Sequence, residues 1–68
     1  MKVIFSPTEK RILDRQTGRV ANKVVTTKGH ESCSPRYVNM IINGEREINS
    51  QKSMDILNVI YEFLQFLK

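Results

Sequence analysis

The sequence has little cysteine and lacks the features of an exported protein. Its 68 residues include one cysteine, Cys33, which excludes a disulfide within the chain. Neither end carries the charged start, apolar stretch and small-residue cleavage site of a secretory signal. We therefore expect a protein of the reducing cytosol.

Patterns that bind metals or perform catalysis are also missing. His30 and Cys33 stand at a plausible spacing for a metal, but structural zinc needs four ligands and the chain has no other histidine or cysteine. There is no glycine-rich phosphate loop, no catalytic carboxylate pair and no nucleophile beside a base. We expect no catalytic residues, no metal and no cofactor, with Cys33 packing at a helix start and His30 in a loop near phosphate.

The chain is too short for a deep pocket and has no long hydrophobic run. A domain of this size buries only about 60% of the surface of its unfolded chain, so a substrate cavity would take side chains that the core needs. The apolar C-terminal stretch is shorter than about 20 residues and contains Asn58, Glu62 and Gln65, and both features argue against a membrane span. We expect one binding domain over residues 1–68, with no membrane, no small-molecule substrate and no enzymatic activity.

The charge is divided unevenly along the chain. Residues 1–44 contain eight Lys or Arg and three acids, whereas residues 45–68 contain three bases and four acids. A basic lobe beside a nearly neutral apolar lobe indicates one surface for a polyanion and another for packing or self-association. Charges that merely keep a small protein soluble explain the composition equally well.

Two helices are predicted in the first half, after a short extended segment at residues 1–5. Ser6-Pro7-Thr8-Glu9 is a capping box with proline at the first helical position, and it predicts a helix from Pro7 to about Thr17, ended by Gly18. A second helix is predicted from Arg19 to about Lys28, with Gly29 as its cap. If Gly18 does not interrupt the chain, a single helix carries a basic ridge formed by Arg11, Arg15, Arg19 and Lys23.

The third predicted helix, residues 34–43, has the firmest boundaries. Ser34-Pro35 starts it and Asn43-Gly44 ends it. Apolar side chains at i, i+3 and i+4 point to one side, and the opposite side presents arginine and asparagine, which hydrogen-bond guanine and adenine in the major groove. The apolar residues are Val38, Ile41 and Ile42, and the polar ones are Arg36, Asn39 and Asn43.

The stretch from Ser34 to Arg46 resembles the recognition helix and following turn of lambda-repressor-like and Lac-repressor-like helix-turn-helix domains. The likeness consists of a capping serine, a buried valine four residues later, two more aliphatics and Asn-Gly-x-Arg. It implies an all-α, compact four-helix helix-turn-helix domain. It also implies base contacts from Pro35, Arg36, Asn39 and Met40, and phosphate contacts from Ser34, Tyr37 and Asn43.

Upstream of the recognition helix the sequence departs from that family. The family places a small residue ten positions before the buried valine, where this chain has Lys28. Ala21 is the natural small residue, so residues 27–33 are expected to hold an enlarged turn or an insertion. The positive charges of the second predicted helix, Arg19, Lys23 and Lys28, are expected to contact phosphates.

The C-terminal helix, predicted over residues 50–67 and capped by Asn49 or Ser50, has more apolar residues than one buried stripe needs. A seam with helical spacing is expected to form a dimer interface, although burial within the domain is the alternative. The seam consists of Ile56, Val59, Phe63 and Phe66.

The sequence therefore predicts a double-stranded-DNA-binding transcriptional regulator that acts as a homodimer in the cytoplasm, associated with the nucleoid. We expect a small repressor of bacterial, phage or mobile-element origin, because so short a chain can occlude an operator but has little surface to recruit anything. The alternative is a small helical protein-binding module, such as a phage-encoded inhibitor or virion component, that uses its apolar C-terminal helix.

Overall fold

The helix signals of the sequence reappear as helix boundaries in the structure. The structure is a computed structural model that describes residues 3–67, of which residues 3–6 are neither helix nor strand. Met1 and Lys2, in the predicted extended segment, and Lys68 lie outside the described residues. The fold is all-α, as predicted. Residues 3–67 form four helices: α1 (Pro7–Asp14), α2 (Thr17–Lys28), α3 (Pro35–Ile42) and α4 (Gln51–Leu67).

Serine side chains begin α1 and α3, as the sequence predicts. The Ser6 hydroxyl accepts from the amide of Glu9 at 3.2 Å, and the Ser6 amide donates to the Glu9 carboxylate at 2.9 Å. At α3 the Ser34 hydroxyl accepts from the Tyr37 amide at 3.1 Å. Because each bond satisfies an amide that has no partner inside its helix, the start of each helix is fixed locally.

Glycine in the left-handed conformation ends α2 and α3. Gly29 has φ +77° and Gly44 has φ +74°. After α3 the amide of Glu45 donates to the Met40 carbonyl at 2.8 Å, and the amide of Gly44 donates to the Ile41 carbonyl at 3.1 Å. These two bonds are the Schellman arrangement, which confirms the predicted end of α3.

The boundary between the first two helices differs from the prediction. Gly18 was expected to end the first helix, but α1 ends at Asp14 and Gly18 is the second residue of α2. The break falls at Arg15 and Gln16, where the Gln16 amide donates to the Leu13 carbonyl at 2.8 Å. One helix over residues 7–28 would be about 33 Å long. The domain extends 30 Å along its longest axis, so the break lets α1 fold back against α3 and α4.

Gly18, the second residue of α2, and Gly29, which follows its last residue, are expected to respond in opposite ways to alanine. Gly18→Ala should raise the free energy of unfolding by about 0.4–1 kcal/mol, because a Cβ there meets nothing within 4 Å and alanine is the better helix former. Gly29→Ala should lower it by about 1 kcal/mol, because φ is +77°. Urea unfolding followed by circular dichroism measures both, and equal effects would contradict the assigned α2 boundaries.

The core is built mainly where α2 packs against α3 and α4. Ser50 begins α4, since its hydroxyl accepts from the Ser53 amide at 3.2 Å. Phe5 brings the N-terminal segment onto α4, with its ring centroid 6.1 Å from that of Tyr61. The fully buried side chains are Leu13, Val20, Val24, Val38, Ile41, Ile42, Ser53, Ile56, Val59 and Ile60.

The predicted dimer seam on α4 is largely part of this core. Ile56 and Val59 have no exposed surface, so neither can contact a second copy, and for them the prediction was wrong. Phe63 is half-buried against the core, and Phe66 is 88% exposed. The α4 residues Leu57, Ile60 and Leu64, outside the seam, are buried as well, because α1, α2 and α3 all pack against this helix.

Candidate nucleic-acid interface

Helix α3 separates its side chains into a buried face and an outer face. Val38, Ile41 and Ile42 are at most 2% exposed. The predicted base-facing residues behave differently, since Pro35 and Arg36 are exposed and Asn39 and Met40 are half-buried. The helix is therefore held by its aliphatic side, and its first turn presents a guanidinium to solvent.

The two asparagines of α3 are joined to each other. The Asn43 Nδ2 group donates to the Asn39 carbonyl at 3.0 Å and to the Asn39 Oδ1 atom at 3.2 Å. A carboxamide oxygen has two lone pairs, so Asn39 keeps an acceptor site. Among the described residues no hydrogen bond occupies its Nδ2 group. Asn39 thus retains the donor and acceptor pair that adenine requires, while Asn43 orients it.

Tyr37 carries two cations over its ring. The Arg46 guanidinium lies 5.0 Å from the ring centroid and the Lys52 ammonium 5.6 Å from it. The outer side of α3 is thereby flanked by positive charge from the following loop and from α4. These positions of Arg46 and Lys52 were not predicted from the sequence, because they depend on the path of the α3–α4 connection and on how α4 packs beside α3.

The predicted phosphate contacts on α2 have different surroundings. Arg19 is exposed. The Lys23 ammonium lies 3.6 Å from the Glu62 carboxylate and 5.6 Å from the centroid of the Phe63 ring. Lys23 and Lys28 line a groove of about 590 Å³ between α2 and α4, with Phe66 at the same groove. Lys23 therefore contacts α4, and a phosphate would have to compete with Glu62 for it.

The connection from α2 to α3 spans residues 29–34 and contains a partly buried polar contact. His30 Nε2 lies 2.7 Å from Asp55 Oδ2, and the Gln51 side chain donates to Asp55 Oδ1 at 3.0 Å. His30 is a loop residue, as predicted. From the sequence it was expected near phosphate, whereas its Nε2 atom faces the Asp55 carboxylate. Six residues exceed the three or four of a tight helix-turn-helix connection, so the connection is enlarged as predicted, but residues 27 and 28, expected in the turn, belong to α2.

Asp55 and Cys33, near this connection, have pKa values shifted from their ordinary ones. The hydrogen bond from His30 holds the pKa of Asp55 below its usual value. The stabilisation that ionised Asp55 gives the fold is therefore fully present above the ordinary aspartate pKa. It is lost as the pH falls from about 4 through the lowered pKa. Burial raises the pKa of the Cys33 thiol against the opposing charge of Lys52, so Cys33 packs against the core as a neutral group.

The described residues contain no group of three or more His, Cys, Asp or Glu side chains placed to hold a metal ion. Within residues 3–67 no helix is both long and apolar enough to cross a membrane. No protein-family model, curated protein or solved structure matches the chain.

Proposed function

We propose that this protein is a sequence-specific double-stranded-DNA-binding regulator, acting as a small repressor, with α3 as its recognition helix. The observation that carries the proposal is the division of α3. Its aliphatic side is at most 2% exposed, while Arg36 at its first turn is exposed and Asn39 keeps free hydrogen-bonding capacity. Arg and Asn are the side chains that pair bidentately with guanine and adenine.

The charge distribution supports the same assignment. The α3 face has Arg46 and Lys52 gathered around Tyr37. Cations beside a recognition helix position it on the duplex through phosphates, whereas the base contacts specify the sequence. Such a protein acts in the cytoplasm, on the nucleoid, and needs no small-molecule substrate.

We propose that the protein binds DNA as a homodimer. One eight-residue helix reaches few base pairs, so two copies related by a two-fold axis are needed to select a site, at half-sites about 34–36 Å apart. With Ile56 and Val59 in the core, the accessible residues of the α4 seam are the exposed Phe66 and the half-buried Phe63. We assign the self-association surface to these rings and to the groove beside Lys23.

The specific contact is tested at Arg36. Arg36→Ala should weaken binding to the preferred duplex, obtained by selection from random DNA, by about 1–3 kcal/mol, because a bidentate base contact is lost. Binding to random duplex should change little. Fluorescence anisotropy titrations with both duplexes at several salt concentrations give the affinities and the salt slopes.

Arg19→Ala is the matched control on α2. As a phosphate contact it should weaken binding to both duplexes alike and reduce the salt slope by about 0.9. If Arg36→Ala lowers both affinities equally, Arg36 is itself a phosphate contact and the orientation of α3 is wrong. If the unmodified protein binds no duplex even at low salt, the DNA proposal fails.

The second candidate function is a protein-binding module, and one observation favours it. Phe66 is 88% exposed beside a groove lined by α2 and α4. Exposed aromatic side chains of this kind mark protein interfaces. If the protein is such a module, it should be a monomer that binds no DNA, and Phe66→Glu should abolish binding to its protein partner. These results would distinguish the module from the regulator.

A further inference from the structure

One long-range polar contact joins the α2–α3 connection to α4. His30 Nε2 and Asp55 Oδ2 are 2.7 Å apart, and their side chains are only 21% and 12% exposed. This contact joins residues 25 positions apart in the sequence. Gln51 occupies the other carboxylate oxygen, so Asp55 is held on both sides.

The position of this contact matters because the connection is long. Residues 29–34 are six in number, whereas a three- or four-residue turn fixes the angle between the helices of a tight helix-turn-helix unit. Glu31 and Ser32 are exposed, and Cys33 touches the core just before the cap at Ser34. The His30 contact therefore ties down the first half of a segment that would otherwise leave the start of α3 loosely placed.

We propose that His30 and Asp55 are positioning residues that hold α3 in its DNA-reading orientation, replacing the tight turn that this chain lacks. The inference rests on the proposed function. Without the contact between His30 and Asp55, the folded protein samples several orientations of α3. The apparent affinity for DNA then falls in proportion to the fraction of molecules whose α3 can read bases. Random duplex, held through phosphates, depends less on that orientation.

The test compares two substitutions of similar size at one position. His30→Leu removes the nitrogen donor, and His30→Gln keeps one. His30→Leu should lower affinity for the preferred duplex about tenfold and leave random-duplex affinity nearly unchanged, under conditions where circular dichroism shows the variant folded. His30→Gln should recover most of the loss. Asp55→Ala should match His30→Leu, and the double variant should be no weaker than either single one.

Amide hydrogen exchange supplies a readout that needs no DNA. His30→Leu should speed exchange in α3 more than in α2 and α4, because only α3 depends on the tied connection. Unchanged α3 exchange, or equal losses on both duplexes with lower stability, would overturn the positioning role. Faster α3 exchange in a protein that binds no duplex in any form would leave the positioning intact and reject the DNA function.

Discussion

Ile56→Ala is expected to lower the free energy of unfolding by about 2–5 kcal/mol, since Ile56 is completely buried on α4 and its truncation leaves a cavity. A domain of 68 residues has a total stability of roughly 3–10 kcal/mol. The loss is therefore a large part of the whole, and a substantial fraction of the variant should be unfolded at moderate temperature. Urea and thermal unfolding followed by far-UV circular dichroism measure the effect.

Met54→Ala is the control on the same helix. Met54 is 52% exposed, so its truncation should change the stability by no more than about 0.5 kcal/mol. The pair separates a core residue from an interface residue. If Ile56→Ala stays as stable as the unmodified protein and instead dissociates an oligomer, Ile56 contacts a second copy and the core assignment is wrong.

The parts of the fold that the sequence predicts are those determined by a few neighbouring residues. Ser6 with Glu9, Ser34 before Pro35, and Gly44 after Asn43 each act through hydrogen bonds or backbone angles within one turn. The caps of α1 and α3 and the ends of α2 and α3 are consequently confirmed. The inner face of α3 was also predictable, because three aliphatic residues at helical spacing leave one way to bury them.

The features that the sequence did not reveal depend on how the helices pack. The break at Arg15 and Gln16 has no glycine and no proline, and it follows from the need to fold α1 back over a small core. The burial of Ile56 and Val59 follows from the number of helices that surround α4, which periodicity along α4 does not contain. An apolar seam on one helix has the same pattern whether its partner is in the same chain or in another.

Only the local features of the candidate site could be predicted from the sequence. The outer face of α3 is a local property, and Arg36 stands on it as expected. The contacts of Tyr37 with Arg46 and Lys52, and of His30 with Asp55, join different structural elements, so no pattern within one helix predicts them. His30 was interpreted from its loop position, which gave no information about a carboxylate 25 residues later.

A substitution on the exposed part of the α4 seam is expected to disrupt the proposed self-association. Phe63 is half-buried, so a charge placed there would disturb the core as well as any interface. Phe66 lies one turn further along α4 with 88% of its surface exposed. Burying a phenylalanine side chain is worth about 1.5–3 kcal/mol, and a symmetric interface buries each ring twice. Phe66 is therefore the position where a substitution should act on the proposed dimer and spare the fold.

Phe66→Glu should yield a folded monomer that binds a palindromic operator about 10²-fold or more weakly, because the second half-site contact is no longer supported by a linked copy. Binding to a single half-site should survive. Sedimentation equilibrium gives the oligomeric state, and titrations with palindromic and half-site duplexes give the affinities. Ile4→Glu is the control, since Ile4 is also 88% exposed and is not among the residues that line the groove, so the same charge there should leave both properties unchanged. A wild-type protein that is monomeric at the concentrations where it occupies its operator would contradict the dimer. Equal losses of affinity in Phe66→Glu and Ile4→Glu would show that the added negative charge, and not a lost interface, weakens binding.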